Sequence, residues 1–582
     1  MADRRHISSY VVPHRWSIVM AGVVIAITVA VNLMLPVIIR IAIDEITSGE
    51  IESSRLLHYV GWYSLGVGIS VLFAFWTRWL PMRISHKIEY SIRRDMFKHL
   101  TEMDQNFFRT ERTGDLMTRM TSDITILRNA VGQGILQGLR SSLVFIGAFS
   151  VMFLSSWRLA LLMAALFPML TLLFYVLIKR VRRAHEQVQE QYAEVSNFSQ
   201  ESFAGIRSIK GFALEQRWRE HFSELNTGML KRFMKLSFSE EPLWPLAAFW
   251  FSLGMISILI VGGRQVVKGE LTLGTLVQFI QYLLYMQWPM LALSWTASLM
   301  QRAAASWERI NLIFMQSPGI ADDESTNSEL KVLSGDICFK NVSLEVDGVR
   351  LLNEINLRIP SGVTIGITGP TGSGKTLLVS LLARLMDVSG GELCIGTHNI
   401  REYPLKVLRS QIGFAAQEPV LFSRPLGENI AFGIETQSAD VVGWAAKVAN
   451  LDVDVEGFPD HYDTILGERG VTLSGGQRQR ASLSRAIARE PAILILDDVL
   501  AAVDTQTEAG IMNRLLPVMR GRTSIMVSHR ISTLSYADFM IVVEDGRITQ
   551  RGTHAELLAE KGYYAELNEL QKIEQELDID NE

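Results

Sequence analysis

The chain has 582 residues, of which 48% are hydrophobic and 20% charged, and its formal net charge is −5. Such a length accommodates several domains, and a mildly acidic chain without a clustered basic face is not expected to bind nucleic acid. The two cysteines, Cys338 and Cys394, lie far apart without the paired spacing of a zinc or redox site. We expect both to be small buried residues in a reducing cytosol.

The first part of the chain contains long apolar runs. A membrane-spanning helix needs about 20 mainly apolar residues. Six segments meet this length, at residues 16–39, 58–80, 134–157, 159–178, 243–262 and 274–300. The first run continues well beyond signal-peptide length and lacks a small-residue cleavage site, so it is interpreted as a membrane anchor. We predict an N-terminal elbow segment over residues 1–15 and an all-α, six-helix membrane domain over residues 16–305.

The orientation of these helices follows from the positive charges between them. The connection at residues 83–132 is rich in lysine and arginine, which stand at positions 87, 93, 94, 98, 109, 112, 119 and 128. The fourth span ends in the basic segment "KRVRRAH". The connection "DEITSGEIESSR" is mostly acidic. Because positive connections stay in the cytoplasm, both long connections, the N-terminus and the C-terminal half are predicted to be cytoplasmic.

The two cytoplasmic connections are unusually long, at roughly 50 to 60 residues each with helical periodicity. A helical hairpin with arms of about 25 residues extends nearly 40 Å. Glycine and small polar residues mark a candidate tip in each hairpin, "FFRTERTGDLM" around Gly114 in the first and "ESFAGIRSIKGF" around Gly205 in the second. We predict that the tips contact the soluble half, with ordinary solvated hairpins as the alternative.

Polar residues within the spans are fewer and less specific. Gln278, Gln281, Tyr285 and Trp288 recur at three- and four-residue steps and therefore share a helix face. Such a face either joins helices or lines a substrate path. Arg78 lies near the end of the second span, where we expect its long side chain to extend to the cytoplasmic interface.

The soluble half begins after a predicted linker over residues 306–333 and extends over residues 334–570. An apolar strand at 363–368 precedes "GPTGSGKT" and a helical pattern, which is the spacing and context of a phosphate-binding loop. Lys375 is expected to neutralise phosphate oxygens and Thr376 to ligate Mg²⁺. The predicted ATP-binding residues of the loop are Gly369, Pro370, Thr371, Gly372, Ser373, Gly374, Lys375 and Thr376.

Two further apolar segments end in polar side chains. "LILDD" is a strand ending in Asp497, a carboxylate suited to Mg²⁺, and Asp498 follows it. "SIMVSHR" is a strand ending in His529, which either senses the γ-phosphate or is an ordinary structural histidine.

A second anion-binding motif is "LSGGQRQR" before a helical pattern. Its first five residues, which we call the signature segment, are Leu473, Ser474, Gly475, Gly476 and Gln477. A helix N-terminus of this kind binds anions, yet the single triphosphate already has a loop. The second motif therefore suits an ATP held by another subunit, which predicts a head-to-tail dimer of nucleotide domains.

The motifs of the chain, taken in order, resemble those of ATP-binding-cassette exporter half-transporters, and the resemblance covers nearly the whole chain. The motifs are "GPTGSGKT", "AAQEPVLF" with Gln417, "LSGGQ", "LILDD", "AAVD" with Asp504, and "SHR". The implied fold is an all-α six-helix membrane domain of the ABC exporter type followed by an α/β P-loop nucleotide-binding domain. The resemblance also implies alternating access, ATP and Mg²⁺ as cofactors, and coupling helices at the hairpin tips.

The same resemblance implies roles for individual residues. Gln417 would link Mg²⁺ and the γ-phosphate to the coupling helices, and Asp504 would lie in the loop that crosses the dimer interface. Arg469 would belong to a segment that touches the coupling helices. His529 and the base position after Asp497 would complete catalysis.

The chain departs from the family pattern at two positions. The general base is usually glutamate, but this position holds Asp498, which is shorter by one carbon–carbon bond of about 1.5 Å. A misplacement near 1 Å can cost on the order of a hundredfold in rate. Val346 stands where an aromatic residue usually stacks on adenine, so we expect a weaker apolar contact there.

A chain with a shortened catalytic base and an intact signature segment resembles the degenerate-site subunit of heterodimeric bacterial multidrug exporters. The implied partners are a second, non-identical half-transporter, the lipid bilayer and a hydrophobic small-molecule substrate, in the bacterial cytoplasmic (inner) membrane. The alternatives are a homodimeric exporter or lipid flippase and, in a different class, a nucleotide-gated regulator or channel. The acidic tail at residues 571–582 is predicted to be a solvated helix with no assigned role.

Overall fold

The computed structural model describes residues 7–49, 52–434, 438–467 and 473–581, and it leaves out the side chains of residues 166–176, 291, 293, 294 and 574–581. The chain divides into two compact units. The first comprises Met1–Leu100 and Gly114–Gln316, and the second comprises Thr101–Thr113 and Ser317–Glu582.

The N-terminal part of the chain consists of helices, most of which belong to the first unit. They are α1 (Ser8–Val11), α2 (Arg15–Ser48), α3 (Ser53–Glu102), α4 (Gln105–Thr110), α5 (Thr113–Thr118), α6 (Ile124–Asn129), α7 (Ile135–Ser155), α8 (Trp157–Ala204), α9 (Ile206–Gly211), α10 (Glu215–Glu240), α11 (Leu243–Ser257), α12 (Gly263–Val267) and α13 (Leu273–Phe314). A 3₁₀ turn covers Val12–His14, and wider π-turns cover Arg119–Asp123, Ala130–Gly134 and Ile258–Gly262. Of these helices, α4 and the last residues of α3 belong to the second unit.

Four helical stretches of the described residues are long and apolar enough to cross a membrane: Ser8–Ser48, Ser53–Glu102, Thr113–Ser155 and Glu215–Val267. They contain the first, second and fifth predicted spans, and all of the third except residues 156 and 157. The fourth and sixth predicted spans lie in α8 and α13, which include side chains outside the described set.

The N-terminus of α13 is fixed against α2. The backbone N–H of Gly274 donates to Asp44 at 2.8 Å, and the Thr272 hydroxyl donates to the same carboxylate at 2.9 Å. A Cβ atom at Gly274 would lie 2.2 Å from the carbonyl oxygen of Arg40. Only glycine allows this approach, and the acidic side chain satisfies a free helix N–H.

The polar face predicted on the sixth span has two different environments. Gln278 is fully buried, and its amide lies 3.5 Å from the Tyr282 hydroxyl and 3.4 Å from that of Ser155. It therefore joins helices. Gln281 and Tyr285 are half-buried, whereas Trp288 is 71% exposed.

The two predicted cytoplasmic hairpins are helical. In the second, α8 and α10 pack through Ala184, Val188, Met229 and Leu236, and α9 forms the tip. The first hairpin is linked to the end of α13 by Asp123, which is buried and accepts hydrogen bonds from Arg309 and Ser306. Burial opposes ionisation of Asp123, but these hydrogen bonds outweigh it and hold its pKa below the usual value.

The second unit contains two sheets. The antiparallel four-stranded sheet has the order β2-β1-β4-β5 and the six-stranded sheet the order β10-β9-β3-β8-β7-β6. The strands are β1 (Ile337–Val346), β2 (Val349–Ile359), β3 (Thr364–Thr368), β4 (Gly390–Ile395), β5 (His398–Asn399), β6 (Ile412–Ala415), β7 (Ile493–Asp497), β8 (Thr523–Val527), β9 (Phe539–Glu544) and β10 (Arg547–Gly552).

Helices lie between and after these strands along the chain. They are α14 (Lys375–Leu382), α15 (Leu405–Ser410), α16 (Leu426–Ile430), α17 (Ala439–Val448), α18 (Asp452–Glu456), α19 (Gly475–Ala488), α20 (Thr505–Met519), α21 (Ile531–Leu534), α22 (His554–Ala559) and α23 (Tyr563–Asn581), with short 3₁₀ turns at Ile400–Glu402, Ala431–Gly433 and His461–Asp463. Every residue of β3, β7 and β8 is buried, as expected for parallel strands covered on both faces.

The first hairpin tip contacts the soluble part of the chain, as predicted. Within the second unit, Asp104 caps α4 and also accepts a hydrogen bond from the N–H of Gly319 at 2.8 Å. Arg109 pairs with Asp347, in the turn between β1 and β2, at 2.8 Å. Because both side chains of this ion pair are exposed, it fixes orientation more than it adds stability.

Candidate nucleotide site

The site forms where parallel strands of the six-stranded sheet end. β3 lies between β9 and β8, and β7 lies between β8 and β6, all in parallel register. Their carboxyl ends therefore share one edge, which is where α/β sheets bind ligands. The loop after β3, Gln417 after β6, Asp497 at the end of β7 and His529 after β8 meet there.

Glycines shape the loop between β3 and α14. Gly369 has φ +144°, and a Cβ atom there would lie 2.0 Å from the carbonyl oxygen of Val543. Gly374 has φ +101° and would place its Cβ 2.8 Å from the Leu352 side chain. These positions need both left-handed backbone and close approach, which only glycine supplies without strain.

Lys375 is turned into this loop. Its Nζ donates to the carbonyl oxygens of Gly369 at 2.8 Å and Pro370 at 2.7 Å, and the residue is 7% exposed. Burial lowers the pKa of the ammonium group, against the opposing effect of Asp498 and Asp497. A compact cation with rotatable donors is suited to phosphate oxygens at this place.

Asp497 and Thr376 have the chemistry of a Mg²⁺ site. The Thr376 hydroxyl donates to one oxygen of Asp497 at 3.2 Å. The other oxygen is buried and has no hydrogen-bond partner within the described part of the chain. Burial raises the pKa of Asp497. A buried carboxylate with a free oxygen beside a hydroxyl fits Mg²⁺, which binds through one or two carboxylates, phosphates and water. The ion would supply charge neutralisation at the phosphates.

Asp498 follows directly and adopts a left-handed backbone with φ +51°. Its N–H donates to the carbonyl oxygen of Val527 at 2.9 Å. The Gln417 amide lies 3.4 Å from its carboxylate. Aspartate tolerates this conformation better than most residues, and the short side chain stays beside Gln417.

His529 comes two residues after β8, which ends at Val527 and not at the histidine as the apolar pattern predicted. Ser528 leaves the strand because its hydroxyl accepts from the N–H of Arg530 at 3.0 Å and forms a turn. Burial, followed by the charge of Lys375, lowers the pKa of His529. A neutral imidazole is therefore favoured near neutral pH.

A residue of the tail supports the His529 loop, which the sequence did not predict. The Gln571 amide donates to the carbonyl oxygen of His529 at 2.5 Å and accepts from the N–H of Ile531 at 2.9 Å. The tail is helical, as predicted, but its first residue is a structural contact of the site. An isolated glutamine in an acidic helix carries no sequence signal of this role.

These residues enclose a pocket of about 200 Å³. It is lined by Thr371, Gly372, Gly374, Lys375, Thr376, Gln417, Asp497, Asp498 and His529, with Leu377 and Val527. Gly369, Pro370 and Ser373 complete the loop beneath it. Val346 is half-buried against the core of the four-stranded sheet and is not among the described residues that line this pocket.

The signature segment forms the start of α19. Ser474 is its N-cap and makes a capping box with Gln477, whose side chain also donates to Asp454 at 2.9 Å. Leu473 is buried beneath, while Ser474 is exposed and Gly475 and Gly476 are half-exposed. The helix N-terminus is thus rigid and open to solvent, outside the pocket formed by the loop after β3.

Asp504 is used as a helix cap. Its carboxylate accepts from the N–H of Thr507 at 2.9 Å and begins α20. The loop before it is attached to α19, because the N–H of Ala502 donates to the Gln479 amide oxygen at 3.0 Å. Arg469 lies in residues 468–472, outside the described part of the chain.

A network around the buried Glu508 joins the first turn of α20 to the loop after His529, and Arg530 extends it to the loop before Asp504. Glu508 is 3% exposed and pairs with Arg530, and it accepts from Ser532 at 2.8 Å and Thr533 at 2.6 Å. Arg530 also donates to the carbonyl oxygen of Val503 at 2.8 Å. Sequence reasoning did not identify this network, since its members are separated by more than a helix.

We expect Glu508→Ala to be strongly destabilising, because it removes the carboxylate that pairs with Arg530 and accepts from two hydroxyls. Loss of one partner of a buried pair costs about 3 kcal/mol, which corresponds to a fall in Tm of roughly 5–10 °C for a domain of this size. Glu428→Ala removes an exposed pair with Arg424 and should shift Tm by under about 2 °C. Thermal unfolding of the purified full chain measures both. Equal shifts would contradict the proposed importance of the network.

Comparison with known proteins agrees with this architecture. The family model described as ABC transporter transmembrane region matches residues 18–290, and the model described as ABC transporter matches residues 352–501. The chain is 35% identical over 577 residues to the ABC transporter ATP-binding protein YknU of Bacillus subtilis, covering 98% of both chains. It is 33% identical to the multidrug resistance-like ATP-binding protein MdlA of Escherichia coli, covering 97% of this chain and 96% of MdlA.

A solved structure of a bacterial Atm1-family ABC exporter with ATP bound has the same fold. The TM-score is 0.81 at 24% identity, with 96% of this chain and 99% of that chain covered. The fold is therefore a helical membrane domain of the ABC exporter type followed by an α/β nucleotide-binding domain.

These findings define a membrane transporter driven by ATP. The chain belongs to the ABC transporter family and is an exporter half-transporter. Its enzymatic activity is ATP hydrolysis coupled to transport, with ATP and Mg²⁺ as cofactors.

Proposed function

We propose that this chain is the degenerate-site subunit of a heterodimeric exporter. It pairs with a second, non-identical half-transporter and moves amphipathic drugs or lipids outward across the bacterial cytoplasmic membrane. The names of its relatives, which include multidrug resistance-like proteins of bacteria, support this substrate class and membrane. The N-terminus and the nucleotide domain face the cytoplasm, since the positively charged connections flank the spans on that side.

The observation that carries the proposal is Asp498 at the base position together with an ordered signature segment. Asp498 is held by the N–H contact to Val527 and lies 3.4 Å from Gln417. With its shorter side chain it holds an attacking water poorly, and hydrolysis in this pocket is slow. The capping box of Ser474 and Gln477 keeps the signature segment competent for the partner's ATP.

We propose a role for each of these residues. The loop from Gly369 to Thr376 binds the ATP phosphates, Thr376, Gln417 and Asp497 hold Mg²⁺, and His529 contacts the γ-phosphate. Val346 makes an apolar contact with adenine. The segment from Leu473 to Gln477 binds the partner's ATP, and Asp504 lies at the dimer interface. We propose domain limits of 16–305 and 334–570, joined by the linker at 306–333.

Exposed surfaces support association with a partner. Ser474 is exposed at the N-terminus of α19, where a phosphate of another subunit could be bound. At the tip of the second hairpin, Phe203 and Phe212 are 76% and 78% exposed, and Ile206 between them is 41% exposed. Apolar residues grouped on a cytoplasmic tip are typical of an interaction surface. This tip is proposed to dock on the partner's nucleotide domain.

The heterodimer is tested by comparing the two base positions in the purified complex. Asp498→Gln is expected to change ATPase activity by less than about twofold, since the pocket already turns over slowly. Glutamine at the partner's base should reduce activity by about a hundredfold or more. Steady-state ATP hydrolysis in lipid vesicles measures both. Brisk hydrolysis by this chain alone, at two equivalent pockets, would instead establish a homodimer.

A further inference from the structure

A large cavity lies within the first unit. Its volume is about 820 Å³, and its walls come from α2, α3, α6, α7, α11 and α13. Residues of the predicted second, third and sixth spans line it near their cytoplasmic ends. A cavity of this size matches the range of small-molecule sites.

The charged side chains on its wall are basic. They are Arg78, Arg128 and Arg140, with His86, and no aspartate or glutamate is among the described residues that line the cavity. Arg128 and His86 both contact the Glu89 carboxylate, at 3.3 Å and 3.1 Å. Arg78 and Arg140 have no ion pair within the described part of the chain. Arg78, expected from sequence only to extend to the interface, thus faces a cavity shared with two other arginines.

Aromatic side chains form the other part of the wall. Trp244 and Trp288 meet edge to face with ring centroids 6.4 Å apart, and Trp288 is 71% exposed. Trp295 lies further along α13 and is 44% exposed. Exposed indole faces accept apolar or aromatic groups.

Arginines without an ion pair in a membrane segment are costly unless they face water or an anion. Guanidinium groups bind carboxylates, phosphates and sulfonates through paired hydrogen bonds, and their field repels cations. One wall of the cavity therefore suits an anionic headgroup and the other an apolar body.

We propose that this cavity binds amphipathic anions, with Arg78 and Arg140 contacting the anionic group and Trp288 contacting the apolar part. The inference rests on the proposed export of amphipathic compounds and narrows their charge. The shared chemistry allows two sources, an anionic lipid headgroup or a free organic anion.

Binding is measured without ATP on the full complex in neutral phosphatidylcholine vesicles. The free-anion probe is 8-anilinonaphthalene-1-sulfonate, the lipid probe is phosphatidylglycerol, and the cationic probe is tetraphenylphosphonium. We expect at least one anionic probe to bind about tenfold or more tightly than the cation, and the probe that does so identifies the source. Equal or tighter binding of the cation would overturn the proposal without requiring any variant.

Variants then locate the anion. Arg78→Gln and Arg140→Gln should each weaken anion binding about tenfold, whereas Arg78→Lys should retain most of it. Arg158→Gln is the matched control, because Arg158 is an exposed arginine of the same unit outside the cavity and pairs with Glu270. Anion binding unchanged by either cavity variant, or weakened equally by Arg158→Gln, would refute the assignment.

The assay separates this inference from the proposed function. ATP-dependent accumulation of the bound probe in inverted vesicles tests export itself. Anion binding without accumulation would contradict export but leave the cavity assignment intact. Accumulation of cations only, with no anion binding, would leave export intact and overturn the cavity assignment.

Discussion

Gly475→Asp is expected to abolish ATP hydrolysis by the assembled transporter while leaving this chain folded. Gly475 is the first residue of α19, and a Cβ atom there would have its nearest neighbour, the Ala502 side chain, at 3.6 Å. A carboxylate in the first turn of a helix is favourable. Facing a γ-phosphate at about 4 Å, however, it costs about 4 kcal/mol at an effective dielectric constant of 20. The expected fall in rate is therefore about 100- to 1,000-fold.

Gly475→Asn is the matched control, since asparagine has nearly the same shape without the charge. We expect it to retain activity within about tenfold of the unchanged complex. ATPase rates of the assembled transporter and thermal unfolding of each variant supply the readout. If both variants lost activity equally, shape and not charge would be responsible. If Gly475→Asp remained fully active, this signature segment would not face a hydrolysed ATP.

Gly369→Ala is expected to weaken ATP binding to this chain by roughly 100-fold. The added Cβ would lie 2.0 Å from the carbonyl oxygen of Val543, so the loop must move, and φ +144° is strained for alanine. Backbone strain and overpacking each cost about 1–3 kcal/mol. Together they approach the roughly 3 kcal/mol that corresponds to 100-fold in affinity. Titration with fluorescent trinitrophenyl-ATP measures the change.

Gly372→Ala separates the effect of backbone strain from that of the close contact with Val543. Gly372 has φ +82° in the same loop, but a Cβ atom there would meet nothing within 4 Å. Strain alone costs about 1–2 kcal/mol, and binding should weaken about tenfold. If Gly369→Ala were no worse than Gly372→Ala, the contact with Val543 would not determine the position of the loop.

The position of Lys375 in its loop can be predicted from the sequence, whereas its hydrogen bonds and its pKa cannot. The spacing of "GPTGSGKT" between a strand and a helix places the lysine correctly, because this geometry is local. The contacts to the carbonyl oxygens of Gly369 and Pro370, and the lowered pKa of the ammonium group, depend on burial by distant strands.

The hydrophobic pattern likewise predicted four of the long membrane helices among the described residues, and three of the parallel strands of the nucleotide domain, β3, β7 and β8. It misplaced the end of β8 by two residues, since a single serine hydroxyl bond to Arg530 ends the strand. It also left the polar face of α13 ambiguous. Burial of Gln278 and exposure of Trp288 depend on which helices lie beside each turn.

Sequence alone determined the phosphate loop, Asp497 with Asp498 after it, and the signature segment, because each is a short motif whose neighbours in the chain are its neighbours in space. Tertiary structure decided the partnership of Glu508 with Arg530, the support of His529 by Gln571, and the placement of Arg78 and Arg140 in the wall of one cavity. These arrangements bring together residues far apart in the chain. Their formation depends on how helices and strands pack, which hydrophobic periodicity constrains only to a face and not to a partner.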